Sequence, residues 1–113
     1  MLVFLSLGWG GMRGGILAFT RDGESLILDV MANDEMLYLM AFTPWGKLLL
    51  KFPLFSPSCF GKINEEVIAF AVRHVLYDIL NIEERREMPF SVYSKVMERI
   101  EDVAKALASK QPR

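Results

Sequence analysis

The sequence predicts an α+β protein in which an antiparallel sheet of four or five strands is followed by two packed helices. Two observations lead to this prediction. Before Ser56-Pro57, short apolar runs are separated by residues that favour turns, which is typical of strands. After that point, apolar residues recur every three to four positions, which is the period of an amphipathic helix. The first half of the chain is therefore expected to be sheet and the second half helical.

The chain has the size and composition of one folded domain. Its 113 residues can bury one core but not two, so we expect a single domain over 1–113, with sheet over 15–55 and helices over 63–110. Hydrophobic residues make up 52% and charged residues 24%, which excludes a disordered chain. The mean hydropathy of +0.26 indicates more apolar surface than so small a monomer can bury. This favours a homodimer or larger homo-oligomer, or else a ligand groove.

Composition also limits the partners and cofactors that the sequence predicts. The single cysteine, Cys59, excludes an internal disulfide and a cysteine-based zinc cluster, and it favours a reducing, cytoplasmic compartment. Charged residues, proline and glycine interrupt every apolar segment before it reaches membrane-spanning length, so a soluble protein is expected. We therefore predict no cofactor, no metal and no membrane partner.

Four strands are predicted from the turn residues between them. Asp22-Gly23 tolerates the positive φ angles of a tight hairpin and is expected to join the first two strands. Thr43-Pro44-Trp45-Gly46 is a strong turn, because proline presets its second position and glycine suits its fourth. Pro53 cannot donate to a ladder, so the fourth strand is expected to lie at an edge or to end there. The expected strand bounds are 15–20, 24–31, 36–42 and 47–52, with a fifth strand over 2–7.

The first fourteen residues have two interpretations. Residues 1–7 are apolar, but they have no preceding basic residue and are shorter than the core of a signal peptide. The glycines that follow resemble a phosphate loop, yet no Gly-Lys-Ser/Thr ends it and a strand is expected next. Residues 1–14 are interpreted either as a strand with flexible glycines or as an artefact of start-site choice, with Met12 as the true start.

Two helices are predicted in the second half. Asn64 is suited to cap the first, with Glu65 and Glu66 placed favourably against its dipole, and Asn81 is a left-handed stop. Apolar residues surround most of this helix, so it is expected to contact the sheet and a second surface as well. The second helix is expected from Ser91, packed on the first or on its copy in a dimer. Its predicted apolar stripe comprises Tyr93, Met97, Ile100, Ala104 and Leu107, widened by Val96 and Val103.

No set of residues in the sequence predicts an enzyme. His74 is the only histidine, and although it could share a helix face with Asp78, a catalytic or metal site needs further groups. We expect His74 to be a structural histidine or a partly exposed residue of the helix. Cys59 is expected to be a small buried hydrophobe, because no base is expected beside it. The acids in the turns are expected to be solvated.

Residues 36–64, the acid-free stretch, contain no Asp or Glu but hold three lysines and six aromatic residues. The structural interpretation is that the aromatic rings fill a core and the lysines face water. The functional one is that the rings stack on bases while lysines and arginines neutralise phosphates, which does not require a basic protein overall. Strand alternation lets only about half of the rings share a face. The candidate nucleic-acid contacts are Arg13, Arg21, Tyr38, Trp45, Lys47, Lys51, Phe52 and Phe55.

The layout of four strands followed by helices, with aromatics and lysines in the segment YLMAFTPWGKLLLKFPLF (38–55), resembles the ThermoDBP-type single-stranded DNA-binding proteins of hyperthermophilic archaea. The resemblance covers about residues 15–110. It implies a sheet with a cleft that takes bases, in a dimer or larger assembly, with the second helix as the association element. The expected function is sequence-tolerant binding of single-stranded nucleic acid, DNA in particular, without catalysis. The alternative is a homo-oligomeric protein-interaction or scaffold module with no nucleic-acid role.

Overall fold

A computed structural model describes residues 15–59 and 61–110 and confirms the α+β fold. Its strands and helices are β1 (Ile16–Phe19), β2 (Ser25–Ala32), β3 (Leu37–Phe42), β4 (Leu48–Phe55), α1 (Glu65–Leu80) and α2 (Phe90–Lys110). A 3-10 turn precedes each helix, at Pro57–Cys59 and at Arg85–Glu87. The fifth strand expected over 2–7 lies outside the described residues. Within the described ranges, neither helix has the length and apolar character needed to cross a membrane.

The four strands form an antiparallel meander, in the spatial order β1-β2-β3-β4. Of the two outcomes predicted from Pro53, the edge position is confirmed: β4 lies at an edge of the described sheet and does not end at this proline but continues to Phe55. The pairing of β3 with β4 shifts register near both ends of β3. Because successive strands run in opposite directions, the first and third turns lie at the same end of the sheet.

Both of those turns have the same construction. In each, the N–H of a glycine (Gly23 or Gly46) donates to the carbonyl of a threonine three residues earlier (Thr20 or Thr43), at 2.9 Å in both cases. The threonine Oγ1 accepts from the N–H that follows the glycine, at 3.1 and 2.9 Å. Only the glycines have positive φ, +89° and +98°, so the first turn spans four residues and is wider than a hairpin centred on Asp22-Gly23. This pattern fits a turn closed by a glycine bulge.

The predicted caps of α1 are confirmed. The side chain of Asn64 accepts a hydrogen bond from the N–H of Glu66 at 2.7 Å. At the other end, Asn81 adopts the left-handed conformation (φ 57°, ψ 44°), and its N–H donates to the carbonyl of Tyr77. The left-handed residue stops the helix while satisfying one of its last carbonyls. α2 begins at Phe90, one residue before the expected start.

One face of the sheet, the helix-packed face, forms the core together with both helices. Its alternating strand residues are Ile16, Ala18, Leu26, Leu28, Val30, Leu37, Leu39 and Ala41. From α1 the core takes Ile68, Val72, Leu76, Ile79 and Leu80, and from α2 it takes Val92, Val96, Ile100 and Ala104. The predicted stripe of α2 is therefore rotated: Val92 and Val96 are buried, whereas Tyr93 and Met97 are only partly so. Apolar residues cover a wide arc of this helix, so its orientation depends on how it packs on β1 and β2.

The other face of the sheet, the opposite face, carries the residues that alternate with that core. By register these include Leu17, Phe19, Ser25, Ile27, Met31, Tyr38, Met40, Phe42, Leu48, Lys51 and Pro53. Met40 and Phe42 on the inner strand β3 are buried, whereas Leu17 and Phe19 on β1 are more than half exposed. The opposite face thus combines a buried middle with exposed apolar side chains.

A buried ion pair, which the sequence did not predict, links α2 to the sheet. Asp29 is 1% exposed and lies one residue beyond the last pair of β1 with β2, Ile16 opposite Leu28. Its Oδ1 accepts from the N–H of Val30 at 2.7 Å and from Nε of Arg99 at 3.0 Å. Burial raises the pKa of this carboxyl above its ordinary value, although the Val30 N–H and the Arg99 guanidinium oppose the shift. A carboxylate in this position needs its cation.

Replacing Arg99 with Met should therefore destabilise the protein. The change leaves the Asp29 carboxylate buried with a single backbone donor, and we expect a loss of about 1–3 kcal/mol in the free energy of unfolding near neutral pH. A raised pKa in the folded state means that the stability contribution of Asp29 is greatest when the group is protonated and falls as pH rises through its pKa. The loss in Arg99→Met should thus shrink as pH is lowered, which urea unfolding at a series of pH values would measure.

The double variant Asp29→Asn/Arg99→Met is the control. It removes both charges while the asparagine oxygen can still accept from the N–H of Val30. It should recover most of the stability lost in Arg99→Met at neutral pH. A double variant as unstable as Arg99→Met at every pH would show that the loss comes from packing and not from the unpaired carboxylate.

Candidate nucleic-acid interface

Trp45 is the most exposed of the large hydrophobic side chains in the described residues, with 80% of its surface accessible. It is the third residue of the β3–β4 turn, which the Gly46 to Thr43 hydrogen bond closes. The Thr43 N–H also donates to the carbonyl of Lys47 at 2.8 Å, so the base of the turn is bonded in both directions. Tryptophan is highly buried on average, and here an ordered turn holds it in solvent.

Tyr38 and Lys51 form a second feature, on the opposite face of the sheet. Lys51 pairs with Met40 and Tyr38 pairs with Pro53, so Lys51 and Tyr38 are diagonal neighbours on the same side of two adjacent strands. The Nζ of Lys51 lies 4.4 Å from the centroid of the Tyr38 ring, which is a cation–π contact. Lys51 is exposed and Tyr38 is partly buried. The contact holds a positive charge in a defined position above an aromatic ring.

Lys47 and Leu48 lie between these two features along the chain; Leu48 pairs with Phe42 on the opposite face of the sheet, whereas Leu50 pairs with Ala41 of the helix-packed face. Lys47 is exposed in the turn, and Leu48, Leu49 and Leu50 that follow it are 43%, 45% and 40% exposed. Trp45, Lys47, Lys51 and Tyr38 are called the hairpin surface below. It combines two lysines with two aromatic rings.

Phe52 and Phe55 lie on the other side of the sheet. Phe52 pairs with Leu39 and Phe55 pairs with Leu37, and both of those leucines are fully buried on the helix-packed face. The two phenylalanines are themselves partly buried against that core. The structure therefore separates them from Tyr38 and Lys51, as strand alternation requires.

Arg21 lies in the β1–β2 turn, at the same end of the sheet as Trp45, but it faces acidic residues. Its guanidinium lies 3.9 Å from Glu83 and 4.0 Å from Glu87, in the connector after α1. Backbone hydrogen bonds from the N–H groups of Glu83 and Glu84 hold the pKa of Glu87 below its ordinary value, and Arg21 adds to the shift. The N–H of Arg21 donates to the carbonyl of Leu80 at 2.9 Å. Arg21 thus fastens the first turn to the end of α1, and its charge is partly compensated.

The structure also explains why the hairpin surface has no exposed acid among its strands. Asp29 is the only acidic residue in β1–β4, and it is buried and paired with Arg99. Lys47 and Lys51 therefore lack an acidic neighbour on these strands, and neither makes an ion pair within the described residues. Arg13 and Phe60 lie outside the described residues.

The surroundings of His74 and Cys59 do not form a catalytic or metal site among the described residues. His74 is exposed on α1, with its ring centroid 4.2 Å from that of Phe70 in an edge-on contact and 6.0 Å from that of Tyr77. Cys59 is half-buried in the 3-10 turn before α1, less buried than expected. In the part of the chain that the structure describes, no three His, Cys, Asp or Glu side chains lie close enough together to hold a metal ion.

Comparison of the chain with models of known protein families, with curated proteins and with solved structures finds no match. The resemblance to ThermoDBP-type proteins therefore stays a prediction. What this protein does has to be inferred from the chemistry of its own surfaces.

The exposure of Trp45 predicts a spectroscopic property. The chain has two tryptophans, so Trp9→Phe leaves Trp45 as the only one. We expect red-shifted emission and quenching by acrylamide close to that of free tryptophanamide, because most of the ring is in water. Trp45→Phe, which leaves Trp9 alone, gives the matched comparison. A blue-shifted, weakly quenched emission from Trp45 would mean that the ring is covered in solution.

Proposed function

We propose that this protein binds single-stranded nucleic acid, with little sequence preference, on the hairpin surface. The observation that supports this most is the 80% exposed ring of Trp45, held at the tip of a hydrogen-bonded turn with Lys47 two residues away. Every base has a face on which an aromatic ring can stack, so a tryptophan in this position is suited to unpaired bases of any sequence.

Each member of the hairpin surface has a distinct role in this proposal. Trp45 stacks on one base, which is worth about 1–3 kcal/mol. Lys47 and Lys51 neutralise the phosphates on either side of it. Tyr38 is a positioning residue, since its ring keeps the Lys51 ammonium in place through the 4.4 Å contact. Phe52, Phe55 and Arg21 are assigned structural roles, because they pack on the core or pair with acids.

The charge distribution is compatible with this function despite the net charge of −1. The acid-free stretch, residues 36–64, holds no Asp or Glu, and Asp29 on β2 is paired with Arg99. For binding to single strands, each phosphate that the protein neutralises contributes about −0.7 to the slope of log K, the logarithm of the binding constant, against the logarithm of the salt concentration. Two lysines predict a slope of about −1.4, a modest salt dependence in which stacking contributes much of the affinity.

Trp45→Ala should lower the affinity for a fluorescently labelled oligothymidine by about tenfold or more, as measured by fluorescence anisotropy at low salt, because the stacking contribution is removed. Phe90→Ala is the matched control, since Phe90 is 76% exposed but lies at the start of α2. Equal losses in both variants would mean that binding is not specific to the hairpin surface. Absence of any binding by the unaltered protein at low salt would contradict the proposal.

Lys51→Glu should weaken binding and make its salt dependence shallower, because one phosphate contact becomes a repulsion. The matched control is Lys95→Glu, which changes the net charge equally at an exposed position of α2. We expect the control to retain nearly all of the affinity. Similar losses in the two variants would indicate a response to overall charge, and unchanged binding in Lys51→Glu would remove this lysine from the site. Thermal unfolding monitored by circular dichroism would verify that each variant is folded.

A further inference from the structure

We infer that α1 is the interface of a homodimer, in which two copies of this chain pack antiparallel through the side of the helix that faces away from the core. This interface is separate from the hairpin surface, and the inference goes beyond nucleic-acid binding. The partner is a second copy of the chain, because the order of charges along the helix is complementary to that of an identical, reversed helix.

α1 is apolar on two sides. Its buried row packs on the sheet and α2. On the other side, spaced by three, four and three residues, lie Val67, Phe70, His74 and Tyr77, here called the outer face of α1. This spacing places the four side chains in one stripe along the helix. Val67 and Phe70 are each 56% exposed.

The aromatic members of the outer face already contact one another. The ring of His74 lies edge-on to Phe70, with centroids 4.2 Å apart, and is 6.0 Å from Tyr77. These contacts leave Phe70 more than half exposed. Exposed apolar stripes of this kind are typical of surfaces that bind another protein.

The charges beside the stripe indicate which protein binds to the outer face of α1. Glu66 and Arg73 are seven residues apart, two helical turns, so they lie on the same flank of the outer face. Within residues 15–59 and 61–110, neither side chain makes an ion pair. Glu66 and Arg73 are thus available to pair with charges of another molecule. They lie on one flank of the helix, two turns apart.

The order of Glu66 and Arg73 along this flank is complementary to the same flank of a second copy that runs in the opposite direction. In an antiparallel pair related by a two-fold axis, each flank meets the same flank of the other copy in the opposite direction. With Val67 and Phe70 of one copy packed on Phe70 and Val67 of the second, Glu66 of each copy comes opposite Arg73 of the other. The two-fold axis therefore generates two ion pairs at the margins of one apolar contact. The antiparallel helix dipoles also attract each other.

The proposed dimer leaves the hairpin surface accessible. α1 packs on the helix-packed face of the sheet, whereas Tyr38 and Lys51 lie on the opposite face and Trp45 lies in the turn at its end. A dimer would therefore present two hairpin surfaces. A variant that no longer dimerises can still bind nucleic acid, and a variant that no longer binds nucleic acid can still dimerise.

Sedimentation velocity of the full chain over a wide range of concentrations tests the interface. We expect a monomer–dimer equilibrium, and Phe70→Ser should raise the dimer dissociation constant by about tenfold or more, as is typical of a central aromatic residue in an interface. Phe90→Ser is the matched control, because Phe90 is even more exposed, at 76%, but lies on α2. A chain that is monomeric at all concentrations, or a dimer equally sensitive to both changes, would overturn the inference.

A charge exchange tests the antiparallel arrangement itself. Glu66→Lys or Arg73→Glu alone should weaken the dimer several-fold, because each creates two like-charge pairs, and the double variant Glu66→Lys/Arg73→Glu should restore it. No restoration would contradict the pairing of Glu66 with Arg73. A dimer that survives Phe70→Ser and is lost in Leu49→Lys would place the interface at the β4 edge, which also contradicts it.

The oligothymidine measurement separates this inference from the proposed function. Phe70→Ser should bind the labelled oligonucleotide with nearly the intrinsic affinity of the unaltered protein, while Trp45→Ala should dimerise normally. A monomeric protein that binds the oligonucleotide would overturn only the dimer, and a dimer that does not bind it would overturn only the proposed function.

Discussion

The alternation of side chains along four antiparallel strands is the constraint on which the rest of this structure depends. Both helices pack on one face of the sheet, so each strand residue is assigned to the core or to the opposite face by its register alone. On β4, Lys51 and Phe52 are adjacent in the chain, yet one lies above the Tyr38 ring and the other packs on the core. The composition of the hairpin surface follows from this separation.

The ion pair between Asp29 and Arg99 connects the core to the electrostatics of the surface. A buried carboxylate is costly, and the raised pKa of Asp29 reflects that cost. The pair has two consequences. It fixes α2 against β2, and it neutralises the only acid in the four strands. An interaction with an evident structural role thus also leaves the two lysines of the hairpin surface without a competing negative charge on the sheet.

The two proposed surfaces use different elements of the fold. The hairpin surface belongs to β3, β4 and the turn between them, whereas the outer face of α1 lies beyond the helical layer. Apolar groups are exposed at both, Trp45 at one and Phe70 at the other, which accords with the positive mean hydropathy of the chain. In a chain this small, forming the core leaves apolar side chains exposed on two separate surfaces, one for each proposed contact.

The sequence by itself determined the order of the elements and the caps of α1, and it limited β4 to an edge or to an end at Pro53. These are local properties: Asn64 caps the helix through its own side chain, Asn81 ends it through its left-handed backbone conformation, and Pro53 limits pairing wherever it stands. Only the tertiary structure decided which aromatic residues share a face, because a register shift cannot be seen in a sequence. It also decided that Arg21 pairs with Glu83 and Glu87, since groups about sixty residues apart meet only through the packing of the first turn on α1. For the same reason, the partner of Asp29 became apparent only once α2 was placed on the sheet.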